Sequence, residues 1–259
     1  MTWWCAASGV PWSWAWRAYP GVWLFIAILA AVGWRLLAGR ANATDVRRYA
    51  AGLFLLWVAL DWPLGALGGY LASAHTGQFI LIALAAPPLL LLGLRPALAS
   101  VATESRAGWW LRLLTHPLPA FVGFNGVVLG THLPDLVDGL MASQLGSLAL
   151  DLSWLVGGLC LWWPVAAPER FRRLSPPLQM AYLFVQTIPA TLPSAFLVFS
   201  TYPLYQLYEL APRVTPALTP RYDHPIAGLM MKVVADPVGW IGIGVVFFRW
   251  ARAVRQADL

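Results

Sequence analysis

The sequence predicts an all-α integral membrane protein: a bundle of about seven transmembrane helices in one domain over residues 1–259, N-terminus outside and C-terminus cytoplasmic. Three observations predict it. The chain is 59% hydrophobic and only 11% charged, where soluble domains carry roughly 25% charged residues. Between Asp61 and Arg95 there is no Asp, Glu, Lys or Arg, a window longer than the ~20 apolar residues that cross a bilayer as a helix. The arginines fall in blocks between apolar runs, so the net charge of +6 reads as an orientation signal and not as a nucleic-acid footprint.

Residues 1–19 hold five of the 16 tryptophans, residues at home at the membrane–water boundary. Gly21–Val32 is apolar and Ala41-Asn42-Ala43 follows, as in a signal peptide, but Arg35 and Arg40 come after the apolar run. A signal peptide has its charge before it, so a retained first helix is expected over about 20–37. The second spans about 49–68 and carries Asp61-Trp62-Pro63. The third, about 75–94, opens on His75 and Gln78, is kinked by Pro87-Pro88, and is closed by Arg95-Pro96. A basic connector with Trp109-Trp110 covers 95–116. The fourth helix, about 117–133, ends in Thr131-His132-Leu133-Pro134-Asp135. The fifth, about 144–165, ends in Trp162-Trp163-Pro164. The sixth, about 177–199, is broken by Pro189 and Pro193, with Gln186, Thr187 and Thr191 available to the freed backbone groups. A long outer loop over 200–224 precedes the seventh, about 225–250.

With this division, thirteen arginines lie on one side, in the odd connectors and the C-terminus, and only Arg17, Arg213 and Arg221 on the other. That bias places the C-terminus in the cytoplasm. Cys5 and Cys160 form no CxxC pair and are expected at opposite ends of the bundle, so no disulfide between them is expected.

Once oriented, the polar residues sort themselves. His75, His132, Asp135, Asp138, Asp151, Asp223 and His224 fall at or near the outer surface, Asp61 slightly deeper, and His116 alone among the histidines lies inside. Imidazole and carboxylate bind copper, zinc or iron without thiolates, and charge at membrane depth marks functional candidates. Asp135, Asp138 and Asp223 read most simply as solvated loop residues. His75 and His132, on consecutive antiparallel helices at the same end, read equally as ligands or as hydrogen-bonding residues. Lys232 and Asp236, four apart on one helical face, read as a mutual ion pair. Tyr202, Tyr205 and Tyr208 read as an interfacial aromatic belt.

The chain resembles the CtaG family of bacterial cytochrome c oxidase assembly factors from about Asp61 to Gly228. The resemblance is carried by Pro63-Leu64, the stretch SAHTGQFILIALAAPPLLLLG at 73–93, Asn125 with His132-Leu133-Pro134, GGLCLWWPV at 157–165, STYPLYQLY at 200–208 and DHPIAGLMM at 223–231. It implies a multi-pass protein of the bacterial inner membrane that assists copper insertion into an oxidase on the periplasmic side, without enzymatic activity. It also implies His75 as a ligand, with His132 beside it and Asp151 as a third group. The family's second histidine four residues after His75 is Phe79 here, its methionine is Thr76, and the fifth helix has Ser147 and Asp151 where histidines are usual. Copper is thus the expected metal, on His75, His132 and Asp151, and the expected partners are cytochrome c oxidase or another membrane redox complex, and the lipid bilayer. The competing readings are a scaffold or accessory subunit that has lost metal handling, a transporter, for which no inverted repeat is found, and a haem protein ligated by the two histidines. No acid–base pair, nucleophile elbow or phosphate loop is present to support an enzyme, and no nucleic-acid partner is expected.

Overall fold

The computed structural model describes residues 2–100, 109, 112, 113 and 115–257, and these form helices without strands. Helices α1 (Pro20–Leu37) and α2 (Ala43–Leu60) are joined by a turn at Gly39, whose φ of +69° suits glycine. Asn42 and Asp45 close a reciprocal cap, each side chain accepting the other's backbone N–H. That cap starts α2 at Ala43, ahead of the expected Tyr49. The helix stops at Asp61, well before 68, because the proline at 63 cannot continue it. The short α3 (Leu64–Leu67) follows.

Helix α4 (Ala72–Gly93) is the centre of the fold, with 61% of its most apolar 18-residue window buried, more than in any other long apolar helix among the described residues. It starts three residues before His75. Its second half packs along α2, and its middle packs against α8 (Gln144–Ala166). The expected irregularity at Pro87-Pro88 takes the form of a wide π-helical turn over Ile80–Ala85, just ahead of them. Two prolines remove two backbone donors and crowd the carbonyls four residues back, and a wider turn relieves that crowding. One of those carbonyls, on Ala83, faces Gly158 of α8, where an added Cβ would lie 2.1 Å from the oxygen. Glycine there lets the two helices approach backbone to backbone.

Beyond α5 (Arg95–Leu98) the expected connector residues Arg106 and Trp110 lie outside the described residues. The fourth expected helix ends early. α6 (Pro117–Gly130) stops three residues before 133, and α7 (Pro134–Met141) leaves it at 78°. Pro134 forces Leu133 into extended backbone (ψ 127°), which places the break at Thr131-His132-Leu133. The sixth is broken as expected, into α9 (Pro176–Gln186) and α10 (Thr191–Phe199). The Thr187 and Thr191 hydroxyls donate to the carbonyls of Phe184 and Thr187, whereas Gln186 exchanges hydrogen bonds with Asn125 of α6. After α11 (Gln206–Leu210), α12 (Pro220–Ala257) begins five residues before the expected 225. Its first half packs on α10 and on the start of α4, and its second half packs on α9. The Lys232–Asp236 pair forms at 2.7 Å on its inner π-turn (Met231–Ala235), and Lys232 also donates to Thr191 Oγ1 at 2.9 Å.

Five helical segments are long and apolar enough to cross a membrane: α1, α4, α8, α9 with α10, and α12. The bent pair α6–α7 makes a sixth. Where seven were expected, α2 is the element that falls short, because Asp45, Arg47 and Arg48 occupy its first turns. His75 and Arg95 mark opposite ends of α4, about 30 Å apart along the helix axis.

Candidate functional site

The site is built on the first two turns of α4. Their orphan N–H groups are capped from a distance: Asp223, in the first turn of α12, accepts from the Ala72 N–H at 2.6 Å, from the Ser73 N–H at 3.3 Å and from the Ser73 hydroxyl. Asp223 is 1% exposed and, among the described residues, has no ion-pair partner. A carboxylate at a helix N-terminus is held by N–H donors and by the helix dipole. The expected solvated loop residue is therefore a buried structural anchor, because α12 begins early enough to carry it. Asp138 acts likewise, accepting from the N–H groups of Gln206 and Leu207 that open α11, while Asp135 is exposed as expected.

His75 follows on the next turn. Its ring lies 4.8 Å from that of Trp154 and 6.4 Å from that of Tyr208, centroid to centroid. Its Nδ1 faces Gln78 Oε1 at 3.4 Å, and the Gln78 amide donates to the Ala59 carbonyl at 2.9 Å, which orients that oxygen toward the imidazole. A carbonyl accepts, so Nδ1 carries the proton and Nε2 a lone pair. Nε2 is buried without a hydrogen-bond partner. His132, at the α6–α7 break, is oriented in the same way: its Nδ1 donates to Val128 O at 2.7 Å, leaving Nε2 with a lone pair. Holding an imidazole Nδ1–H against an oxygen is how ligating histidines are ordinarily oriented. Phe79, four residues after His75, meets His132 edge-on at 5.9 Å and walls the site.

His75 and His132 line one cavity of about 20 Å³ together with Phe79, Thr131, Trp154 and Tyr208, room for about one water molecule or one bare ion. Trp154 is fixed by donating Nε1–H to Thr131 Oγ1 at 3.0 Å. Asp151, three residues before Trp154 on α8, lines a second cavity of about 10 Å³, shared with His75, Cys5, Gln78, Met141 and Ser147. The structure thus brings His75 to each of the other two expected residues but does not gather all three. Among the described residues no group of three His, Cys, Asp or Glu is placed to hold a metal ion. Asp151 is held away by another partner, its Oδ2 accepting Trp4 Nε1–H at 2.8 Å.

That contact belongs to a strap that sequence reasoning missed. Residues 3–7 cross the end of the bundle: the N–H groups of Trp3 and Trp4 donate to Gln144 Oε1 at 2.7 and 3.0 Å, Cys5 Sγ to Leu60 O at 3.2 Å, and the Ala7 N–H to Met141 O at 3.0 Å. Trp4 is 2% exposed, whereas Trp14 and Trp16 are exposed as boundary residues should be. Cys5 and Cys160 are free thiols. Tyr205 and Tyr208 are also not a belt. Both are buried, and only Tyr202 is exposed. Tyr205 donates to the His132 carbonyl and Tyr208 to the Gly68 carbonyl, each at 3.2 Å, and both rings pack on His224. Burial raises both phenol pKa values, keeping them donors. His224 repeats the orientation of the other two, with Nδ1 2.8 Å from Pro220 O and Nε2 buried without a partner.

A helical membrane protein whose imidazoles gather at one end of the bundle, beside an N-terminal strap, is the class these features define. The chain belongs to the cytochrome c oxidase caa3 assembly factor family, whose family model (Caa3_CtaG) matches residues 23–253, most of its length. No curated protein and no solved structure matches it.

Proposed function

We propose that the protein holds one copper ion, as cargo, between His75 and His132 and delivers it during assembly of a cytochrome c oxidase. The observation that carries this is the shared orientation of the two imidazoles, each with Nδ1–H bonded to an oxygen and Nε2 left with a lone pair, lining one cavity of single-ion size. Imidazole suits copper, and Cu(I) is satisfied by two nitrogen donors in line. Asp151 lies beside His75 as the third group and is released to it where the strap gives up the Trp4 contact. The protein itself is non-catalytic in this reading; the oxidase or another membrane redox complex is its partner. In cells lacking the wild-type copy, His75→Ala and His132→Ala are expected to lower oxidase copper by about tenfold or more, with the variant proteins still inserted. Normal oxidase copper in both variants contradicts the copper reading. The scaffold reading is favoured by the lack of a third ligand in place; it stands if the two variants are normal while removal of the whole protein still abolishes the oxidase.

The site lies, in this proposal, on the periplasmic side of a bacterial inner membrane, in a chain with a cytoplasmic C-terminus that crosses seven times if the more polar α2 also spans. The support is the arginine bias and the distribution it follows, with Arg95, Arg172 and Arg249 at the end of the bundle away from His75. Reporter fusions after Arg40, Ser105 and Arg173 are expected to read cytoplasm, and fusions after Asp138 and Arg213 periplasm. Any reversed pair overturns the topology.

A further inference from the structure

The end of the bundle opposite His75 carries a cluster of cations that outnumber the acids paired with them among the described residues. Arg48, Arg95, Arg172 and Arg249 lie close enough to act on one another electrostatically. Two acids answer them among the described residues: Asp45 reaches Arg48 at 3.7 Å, and Glu169 reaches Arg172 at 2.9 Å. Arg95 spends its Nε–H on the Ala166 carbonyl at 2.7 Å, and its Nη2 is buried without a partner, as is Arg172 Nε. Arg249 makes no ion pair among the described residues. Among the described residues two positive charges, those of Arg95 and Arg249, therefore remain in excess.

One of them, Arg249, and the Arg172–Glu169 pair border a cleft of about 200 Å³ between the 169–176 segment and the last turns of α12, which Gln179, Val246 and Trp250 also line. This is room for several water molecules, and it is bordered by two guanidinium groups and the one carboxylate of Glu169, a net positive charge, with apolar side chains beside them. Trp250 is 38% exposed beside Arg249, the position of an aromatic residue at headgroup depth. Guanidinium matches phosphate oxygens in a fork geometry, and basic pockets between helices at this depth hold anionic lipid headgroups.

We infer that this cleft is a binding site for a phosphate group, with Arg172 and Arg249 gripping its oxygens and the apolar wall of Val246 and Trp250 taking the adjoining chain of a phospholipid. The source of the phosphate, an anionic lipid or free phosphate in the cytoplasm, is decided by the test. The full-length protein, purified in mild detergent, is given phosphatidylglycerol, phosphatidylcholine or inorganic phosphate, and retained ligand is read by native mass spectrometry. Phosphatidylglycerol is expected to be retained over phosphatidylcholine and not displaced by inorganic phosphate. Retention is expected to fall about tenfold in Arg249→Gln, the loss of one charge-assisted contact, and further in Arg172→Gln/Arg249→Gln. Arg249→Lys, which keeps the charge, should restore part of it. Displacement by equimolar inorganic phosphate overturns the lipid and assigns the site to a soluble phosphate. Equal retention of the two lipids, or unchanged retention in Arg249→Gln, overturns the site itself. Arg249 is exposed, so its glutamine variant is expected to fold and the comparison to remain readable.

Discussion

Replacing Asp223 with alanine is expected to destabilise the fold by about 2–4 kcal/mol, the range set by leaving buried donors without their charged acceptor. The carboxylate is 1% exposed and accepts from Ala72 N–H, Ser73 N–H and the Ser73 hydroxyl, 150 residues away in sequence. Alanine leaves those donors without their acceptor. An asparagine in its place would keep one oxygen but set an amide N–H₂ against the N–H donors, so Asp223→Asn is expected to lose about half as much. The unfolding midpoint in detergent, with denaturant titration for the free energy, checks both. A change under about 0.5 kcal/mol for Asp223→Ala, the size of an ordinary surface substitution, would show that α4 is anchored some other way. Because Asp223 fixes the turn that presents His75, the alanine variant is also expected to weaken any metal held there.

Much of the fold was legible because it follows from local chemistry. The uncharged window between Asp61 and Arg95 does hold the central helix, and Pro87-Pro88 does distort it, since missing N–H groups act on the nearest turn. The Lys232–Asp236 pair follows from a four-residue spacing alone. Boundaries were less legible where hydrophobicity was read and capping was not: Asn42-x-x-Asp45 starts α2 among charged residues, and Pro134 turns the chain at His132 by acting on Leu133.

The site divides along the same line. His75 and His132 were readable as a pair from a helical hairpin, and they do share a cavity. Asp151 shares a cavity with His75 but not with His132, and its engagement by Trp4 was not readable, because Trp4 reaches it from 147 residues away. Trp4 is one tryptophan among five in a segment whose composition points to the membrane boundary, and no spacing marks it as different. Tyr205, Tyr208 and Asp223 were misjudged for the same reason: their burial depends on where α11 and α12 dock, not on their neighbours in sequence.

The copper content of the purified full-length protein, loaded with Cu(I) under reducing conditions and freed of unbound metal, tests the central claim most directly. The wild type is expected to retain about one copper per chain on two imidazole nitrogens, as X-ray absorption at the copper edge reports. His75→Ala and His132→Ala are each expected to bind at least about tenfold more weakly, with Asp151→Asn closer to wild type because its oxygen is already engaged by Trp4. Wild-type protein that retains no copper, or a His75→Ala/His132→Ala double variant that retains it fully, would contradict the account.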